Sequence, residues 1–400
     1  MDNHANQLPV VVQDPTDPTF VADPYAHYAA WRALGDFVYW RDYGMPMATT
    51  HAAVSRALRH TALGRAVPEA LRPERQAGLD TFNALEQHSL LEIEPPDHTR
   101  LRRAATGAFT GLKIALIAPV ISRLADRLID TFPETPFDLI EHYSKPLAAQ
   151  TITQFLGVDP AMAGQLQAWS NDMVAMYQAR RDADVEARAE AAARAFADFI
   201  GAVIAEKGKT PGTDFLSDLV AFQASGGMTQ AELTSTAILL LNAGHEATVH
   251  AVGNAVPLLV DFENRPQALS PEGIGGTVEE CLRLRPPLHL FKRFVYTPDV
   301  MEDVAFEPND EIGCLLASAC HDDAVWPGGD TFDPFRPRLR HLAFGVGLHA
   351  CLGAALARLE MQIALHALFS RCPDLRIAET PVVANLYHFH GFERLMVSVR

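Results

Sequence analysis

A chain of 400 residues with 48% hydrophobic content has ample material for a large buried core. Its formal net charge of -16 excludes nucleic acid as a general partner, because the phosphate backbone would be repelled. The 5 cysteines are odd in number and irregular in spacing, which fits a reducing, cytoplasmic setting better than a disulfide framework.

In chain order, residues 1–24 are polar and carry Pro9, Pro15, Pro18 and Pro24, so they read as an extended arm lying on the body. They hold neither an apolar signal core nor a spanning segment, and no membrane association is expected. Residues 25–400 show no long linker and no repeat, and read as a single domain. Tyr25–Leu34 has helical character. Phe37–Trp40 and Met47–Thr50 read as short strands around a turn at Tyr43-Gly44. Helical patterns run over Pro119–Phe132, with Pro119 suited to a first helical position, and over Asp184–Glu206. In the latter, Glu186, Arg188, Glu190 and Arg194 form a charged face expected to be solvated.

The strongest helix signal begins at Thr229, which has capping-box spacing to Glu232, and is expected to stop before Pro257. Such a helix is roughly 40 Å long at 1.5 Å per residue, enough to cross a domain. Beyond Pro286-Pro287 the pattern shortens to strand-like pieces at Arg293–Tyr296, Val304–Phe306 and Glu311–Cys314. A loop follows over Asp322–Pro337, and a terminal strand over Arg394–Val399. The expected fold is mostly α with small β-sheets.

The chemistry concentrates in Phe344-Gly345-Val346-Gly347-Leu348-His349-Ala350-Cys351-Leu352-Gly353. Ala355, Leu356, Leu359 and Ile363 then recur at helical spacing, so Cys351 stands at a helix N-terminus, where backbone N–H groups favour a thiolate. Gly345, Gly347 and Gly353 permit tight backbone geometry and a close approach by something flat. A zinc site at Cys351 and His349 lacks the paired ligands to complete it.

This loop resembles the haem-ligating loop of the cytochrome P450 family, and the resemblance extends over nearly the whole chain. It implies a single-domain P450 fold, with haem b between the long central helix and the loop and helix of Cys351, the axial thiolate ligand. Phe344, Gly345, His349 and Gly353 would line the cofactor on the loop, and Ala243 on the central helix. His98 and Arg102, one helical turn apart, would meet the haem propionates together with Arg293 and His349. Glu280 and Arg283, completed by Arg336, match the family's structural triad and would be buried behind the haem.

In Asn242-Ala243-Gly244-His245-Glu246-Ala247-Thr248 the resemblance implies a helix bulge that makes room for O2, and an acid–Thr pair that relays protons. Glu246 matches the acid. Ala247 stands where the family usually has Thr, and the hydroxyl comes one residue later, at Thr248. A one-residue step turns a helical side chain by about 100°, so Thr248 is not a simple replacement. Glu246 with bound water, helped by substrate, is the expected proton route.

The substrate pocket implied by the resemblance uses Phe82, Leu85, Leu90 and Leu91, then Met173, Met176 and Tyr177. It continues with Leu239, Asn242 and Ala243, then Leu288, His289 and Leu290, and ends at Phe389, with Asn242 and His289 as polar anchors. The implied activity is O2-dependent oxygenation, by hydroxylation or epoxidation, of a small-to-medium hydrophobic molecule by a monomeric enzyme. Electrons would come from NAD(P)H through external redox proteins. Arg100, Arg102, Arg103 and Lys113 would dock an acidic ferredoxin. The competing readings are a peroxide-driven oxygenase, a haem-thiolate isomerase and, less favoured, a haem-based sensor.

Overall fold

In the computed structural model, residues 3–72, 78–177, 181–337 and 339–399 are described. The central element is the helix Gln230–Val260. Its start follows the sequence: the Thr229 hydroxyl accepts from Glu232 N, and the Glu232 carboxylate accepts from Thr229 N. Its end does not, because the helix runs one turn past Pro257. Val256 and Leu259 are completely buried there, and their packing outweighs the lost hydrogen bond. Pro119 likewise lies inside a helix, Gly111–Asp130, capped by Thr110. Pro119 and Ala115, whose carbonyl it frees, are both exposed, so the freed carbonyl is not left in an apolar interior.

The continuous helical stretch Ile140–Leu156 packs along the central helix where that helix carries glycine. A Cβ on Gly244 would lie 2.5 Å from Ile152 of the helix Lys145–Leu156, and one on Gly253 would lie 2.7 Å from Ile140. Gly244 therefore serves helix packing. The backbone around it is unbroken α-helix, without the bulge that the resemblance implied.

The largest sheet has six strands, ordered Val10–Val11, Phe37–Trp40, Met45–Ala48, Glu311–Leu315, Leu290–Val295 and Leu63–Gly64. The Phe37–Trp40 hairpin pairs Phe37 with Ala48 and Trp40 with Met45, so its second strand starts at Met45, before the sequence suggested. The terminal strand is split into Phe392–Arg394 and Met396–Ser398. The N-terminal arm is more structured than an extended segment. Val10–Val11 joins the sheet, and the helix Pro18–Ala22 buries Phe20 and Val21. Phe20 packs with Tyr28, Trp31, Trp40, Leu290 and Tyr387 in a small aromatic core separate from the main one.

The charged face of the helix Ala183–Lys209 is not wholly solvated. Glu190 is 7% exposed and accepts from Thr81 N and Phe82 N, which caps the helix Asp80–Glu86. Among the described residues, no single helix is long and apolar enough to cross a membrane.

Candidate active site

Cys351 lies two residues before the N-cap Gly353 of the helix Ala354–Arg371. Its N–H donates to the Phe344 carbonyl at 2.9 Å, which closes the loop. Gly345 and Gly347 have φ of 61° and 85°, and a Cβ on Gly347 would lie 2.5 Å from the Leu58 carbonyl, so glycine is required there. Cys351 is exposed, whereas Cys281, Cys314, Cys320 and Cys372 are buried. Protein crowding pushes its thiol pKa up. The N–H groups of Gly353 and Ala354 and the charges of Arg102 and Arg358 pull it down, but only in part.

The helix Asp97–Ala108 brings His98 and Arg102 beside this loop. Arg102 donates to the Ala350 carbonyl at 2.5 Å. His98 is completely buried, its ring centroid lies 4.4 Å from that of His349, and neither of its nitrogens has a hydrogen-bond partner among the described residues. Burial, then His349 and Arg102, lower its pKa to about 4. His349 donates from Nε2 to Glu94 at 3.0 Å. Arg293 is 3% exposed, and among the described residues its side chain makes one hydrogen bond, at 2.9 Å to the Lys292 carbonyl. Orphaned donors of this kind are rare in a finished interior. They fit an anionic group that reaches inward from a plate over Cys351, as haem propionates would.

Behind the loop, Arg283 donates to both oxygens of Glu280 at 2.8 and 2.7 Å, and to the carbonyls of Cys320 and Gly329. Arg336 reaches Glu280 with Nε at 3.5 Å, but it is half-buried rather than buried. A second network went unseen in the sequence. Arg358 lies 4.4 Å from the centre of the Phe344 ring and grips Glu279 at 2.6 and 2.9 Å, while His341 approaches Glu279 at 3.2 Å. Burial opposes ionisation of Glu279, yet His341 and Arg358 hold its pKa at about 2. Glu279 and Arg358 are 79 positions apart, so no local pattern announces the pair.

On the central helix Ala243 is exposed. Glu246 Oε2 is buried without a partner, and burial raises its pKa to about 7. The Thr248 hydroxyl points back to the Gly244 carbonyl at 3.4 Å, and Ala247 offers no hydroxyl. Leu239, Asn242, Leu288 and Phe389 are partly exposed, and Leu288 bridges to Phe389.

Other expected pocket residues lie deeper. Phe82, Leu85, Leu90, Met173 and Met176 are all under 9% exposed and fill the main core. Leu290 joins the aromatic core. His289 is completely buried, hydrogen-bonded to the Tyr28 hydroxyl at 3.0 Å and stacked on His390 at 4.6 Å. Extended backbone turns successive side chains to opposite faces, so His289 points away from the side that Leu288 takes.

The cationic segment is also changed. Arg100 is held by Glu232 at 2.6 Å and Asp97 at 2.8 Å. Lys113 is held by Asp218 and by the Asp214 carbonyl. Acids outside the segment thus neutralise two of its charges, and Arg103 is left exposed with no ion pair among the described residues.

A cysteine at a helix N-terminus, with the buried His98 and the half-buried Arg102 beside its loop, fits a haem-thiolate oxidoreductase. The cytochrome P450 sequence profile matches residues 275–378. Cytochrome P450 107B1 of Saccharopolyspora erythraea is 35% identical over 298 residues, covering 73% of this chain and 72% of the relative. The putative cytochrome P450 140 of Mycobacterium tuberculosis is 32% identical over 404 residues, covering 96% and 90%. The crystal structure of P450BioI in complex with hexadec-9Z-enoic acid ligated acyl carrier protein matches with a TM-score of 0.89 at 28% identity, covering 95% of this chain and 99% of that one. The chain belongs to the cytochrome P450 family, and it is an oxidoreductase of the monooxygenase type.

Proposed function

We propose that this protein inserts one atom of O2 into a small-to-medium hydrophobic substrate, with electrons passed from NAD(P)H through a ferredoxin reductase and a ferredoxin. The observation that supports this most is the pairing of the exposed Cys351 with the wholly unpartnered, buried His98. His98, Arg102, Arg293 and His349 would hold the propionates of haem b, and Cys351 would be the axial ligand. Bound haem supplies O2 activation, and a thiolate ligand favours O–O cleavage.

The protein's own residues supply the rest. Leu239, Ala243, Leu288 and Phe389 orient an apolar substrate and exclude water. The Glu246 carboxyl takes up a proton near neutral pH and is free to pass it on, because its Oε2 has no hydrogen-bond partner among the described residues. Glu280, Arg283 and Arg336 brace the loop from behind. The exposed Arg103 remains as the cationic contribution of this segment to docking an acidic ferredoxin, in a cytoplasmic, monomeric enzyme. Reduction by a ferredoxin should then slow as salt rises. The test is a carbon monoxide spectrum of the reduced protein, followed by turnover with O2 in which product and oxygen consumption are counted together.

One observation favours a second reading. With Ala247 lacking a hydroxyl and Thr248 turned to Gly244, the usual proton relay is incomplete. A peroxide-driven oxygenase needs no such relay. Product formed from hydrogen peroxide faster than with the ferredoxin system would select it.

A further inference from the structure

Two cations act on the Cys351 sulfur, Arg102 and Arg358. Arg102 donates to the Ala350 carbonyl and is read as a propionate partner, so its charge is spent on the cofactor's own anion. Arg358 has no such duty. It stands in the second turn of the helix Ala354–Arg371. Long helical side chains lean back toward the N-terminus, and Arg358 Nη1 reaches the Ala354 carbonyl, in the first turn, at 3.5 Å. The guanidinium lies 4.4 Å from the centre of the Phe344 ring, and the Phe344 carbonyl accepts the Cys351 N–H at 2.9 Å. A positive charge is thus held against the residue that closes the sulfur's loop.

This charge has its own counter-ion. Glu279, on the helix Ile274–Leu284, takes Nε and Nη2 of Arg358 at 2.6 and 2.9 Å, and it stays a carboxylate at neutral pH. Its neighbour Glu280 is engaged by Arg283 and Arg336 instead. His341 fixes the other side of Glu279. Its Nδ1 accepts from Ala343 N at 3.2 Å, so its proton sits on Nε2, which faces Glu279 at 3.2 Å. Ala343 precedes Phe344, so the network returns to the same loop. Arg358 and Glu279 are both half-buried, and ion pairs that solvent still reaches add little stability. The position of the charge, rather than its contribution to folding, is what the arrangement secures.

We propose that Arg358, oriented by Glu279 and His341, is an electrostatic tuning residue whose fixed charge favours the reduced state of the iron held by Cys351. The proposal rests on the reading of Cys351 as the axial ligand of haem. In the first electron transfer a reduced ferredoxin gives up one electron and ferric iron becomes ferrous, so the positive charge of the site falls by one. A neighbouring cation opposes the more positive state and a neighbouring anion favours it. Arg358 and Glu279 therefore act with opposite signs, although removing either one breaks the same pair.

The test measures the midpoint potential of the haem-loaded protein by spectroelectrochemistry, with thermal melts of the haem-free forms as the gauge of structural loss. Arg358→Gln should lower the equilibrium constant for reduction by at least about threefold. Arg358→Lys, which keeps the charge and loses the fork, should hold most of the wild-type value. Glu279→Gln should move the potential upward. Damage to a merely structural brace would lower both melts and shift both potentials the same way. Potentials that move together in Arg358→Gln and Glu279→Gln, or that do not move, would overturn the proposal. If Arg358→Gln does not keep its haem, Glu279→Gln decides alone: a raised potential supports the tuning, and an unchanged or lowered one overturns it. The carbon monoxide spectrum of the wild type reads the ligand assignment separately. Without a thiolate band the assignment and the tuning fall together, whereas a normal band with unmoved potentials removes only the tuning.

Discussion

The rings of His98 and His349 lie 4.4 Å apart, and the two are satisfied very differently: His349 has Glu94, and His98 has no hydrogen-bond partner among the described residues. An unpartnered buried polar group costs about 1–3 kcal/mol. His98→Leu should therefore leave the haem-free protein as stable as before, or more so, while the loaded protein releases haem faster. Thermal melts of the haem-free form and haem transfer to an acceptor protein measure the two effects. Unchanged haem retention would remove His98 from the cofactor site.

Gly244→Ala is expected to weaken the fold by about 1–3 kcal/mol, because its Cβ would sit 2.5 Å from Ile152. Ile152→Ala in the same chain should recover part of the loss. Denaturant midpoints of the single and double variants test the coupling. If Gly244→Ala is neutral, the two helices are less tightly apposed than described.

Glu280→Ala leaves Arg283, 2% exposed, without its counter-charge. Breaking a buried pair in this way costs about 3–5 kcal/mol. The expected result is poor haem incorporation, read as the ratio of haem to protein after purification. A fully loaded variant of wild-type stability would show that the pair is dispensable.

The fold and much of the site were legible in the sequence because they rest on local signals. Thr229 and Glu232 form the cap their spacing suggests, and Cys351 sits where glycine and helical periodicity put it. What failed depends on tertiary contact. Pro257 reads as a stop until Val256 and Leu259 are seen to be buried around it. Arg100 and Lys113 read as free charges until Glu232 and Asp218 arrive from more than 100 positions away. Glu190 reads as surface until it caps a helix 108 positions earlier. His289 could have been questioned from strand alternation, which does not allow Leu288 and His289 to share a face.

Acid should destabilise the protein through its buried imidazoles. Burial lowers the pKa values of His250, His388 and His390 to about 4. The unfolded chain takes up these protons near the ordinary value of about 6.5, whereas the folded protein resists them until about pH 4. Stability is therefore complete above about pH 6.5 and is lost as pH falls from there toward 4. His250→Leu should flatten the slope of melting temperature against pH in that window. An unchanged slope would mean that His250 is protonated in the fold.

Glu246 sets an opposite limit on turnover. Its carboxyl is a proton donor below about pH 7 and a carboxylate above it. Coupling of electron consumption to product should decline as pH rises through 7. Glu246→Gln should lower coupling and remove that inflection, and Ala247→Thr should raise it. Wild-type coupling with an undiminished inflection in Glu246→Gln would place the proton route elsewhere.

The most direct test of the central claim is the carbon monoxide difference spectrum of the reduced protein beside that of Cys351→Ser. Sulfur ligation predicts the thiolate-type band in the wild type, and its disappearance together with oxygenation in the serine variant. A serine variant with the same band and the same turnover would contradict it.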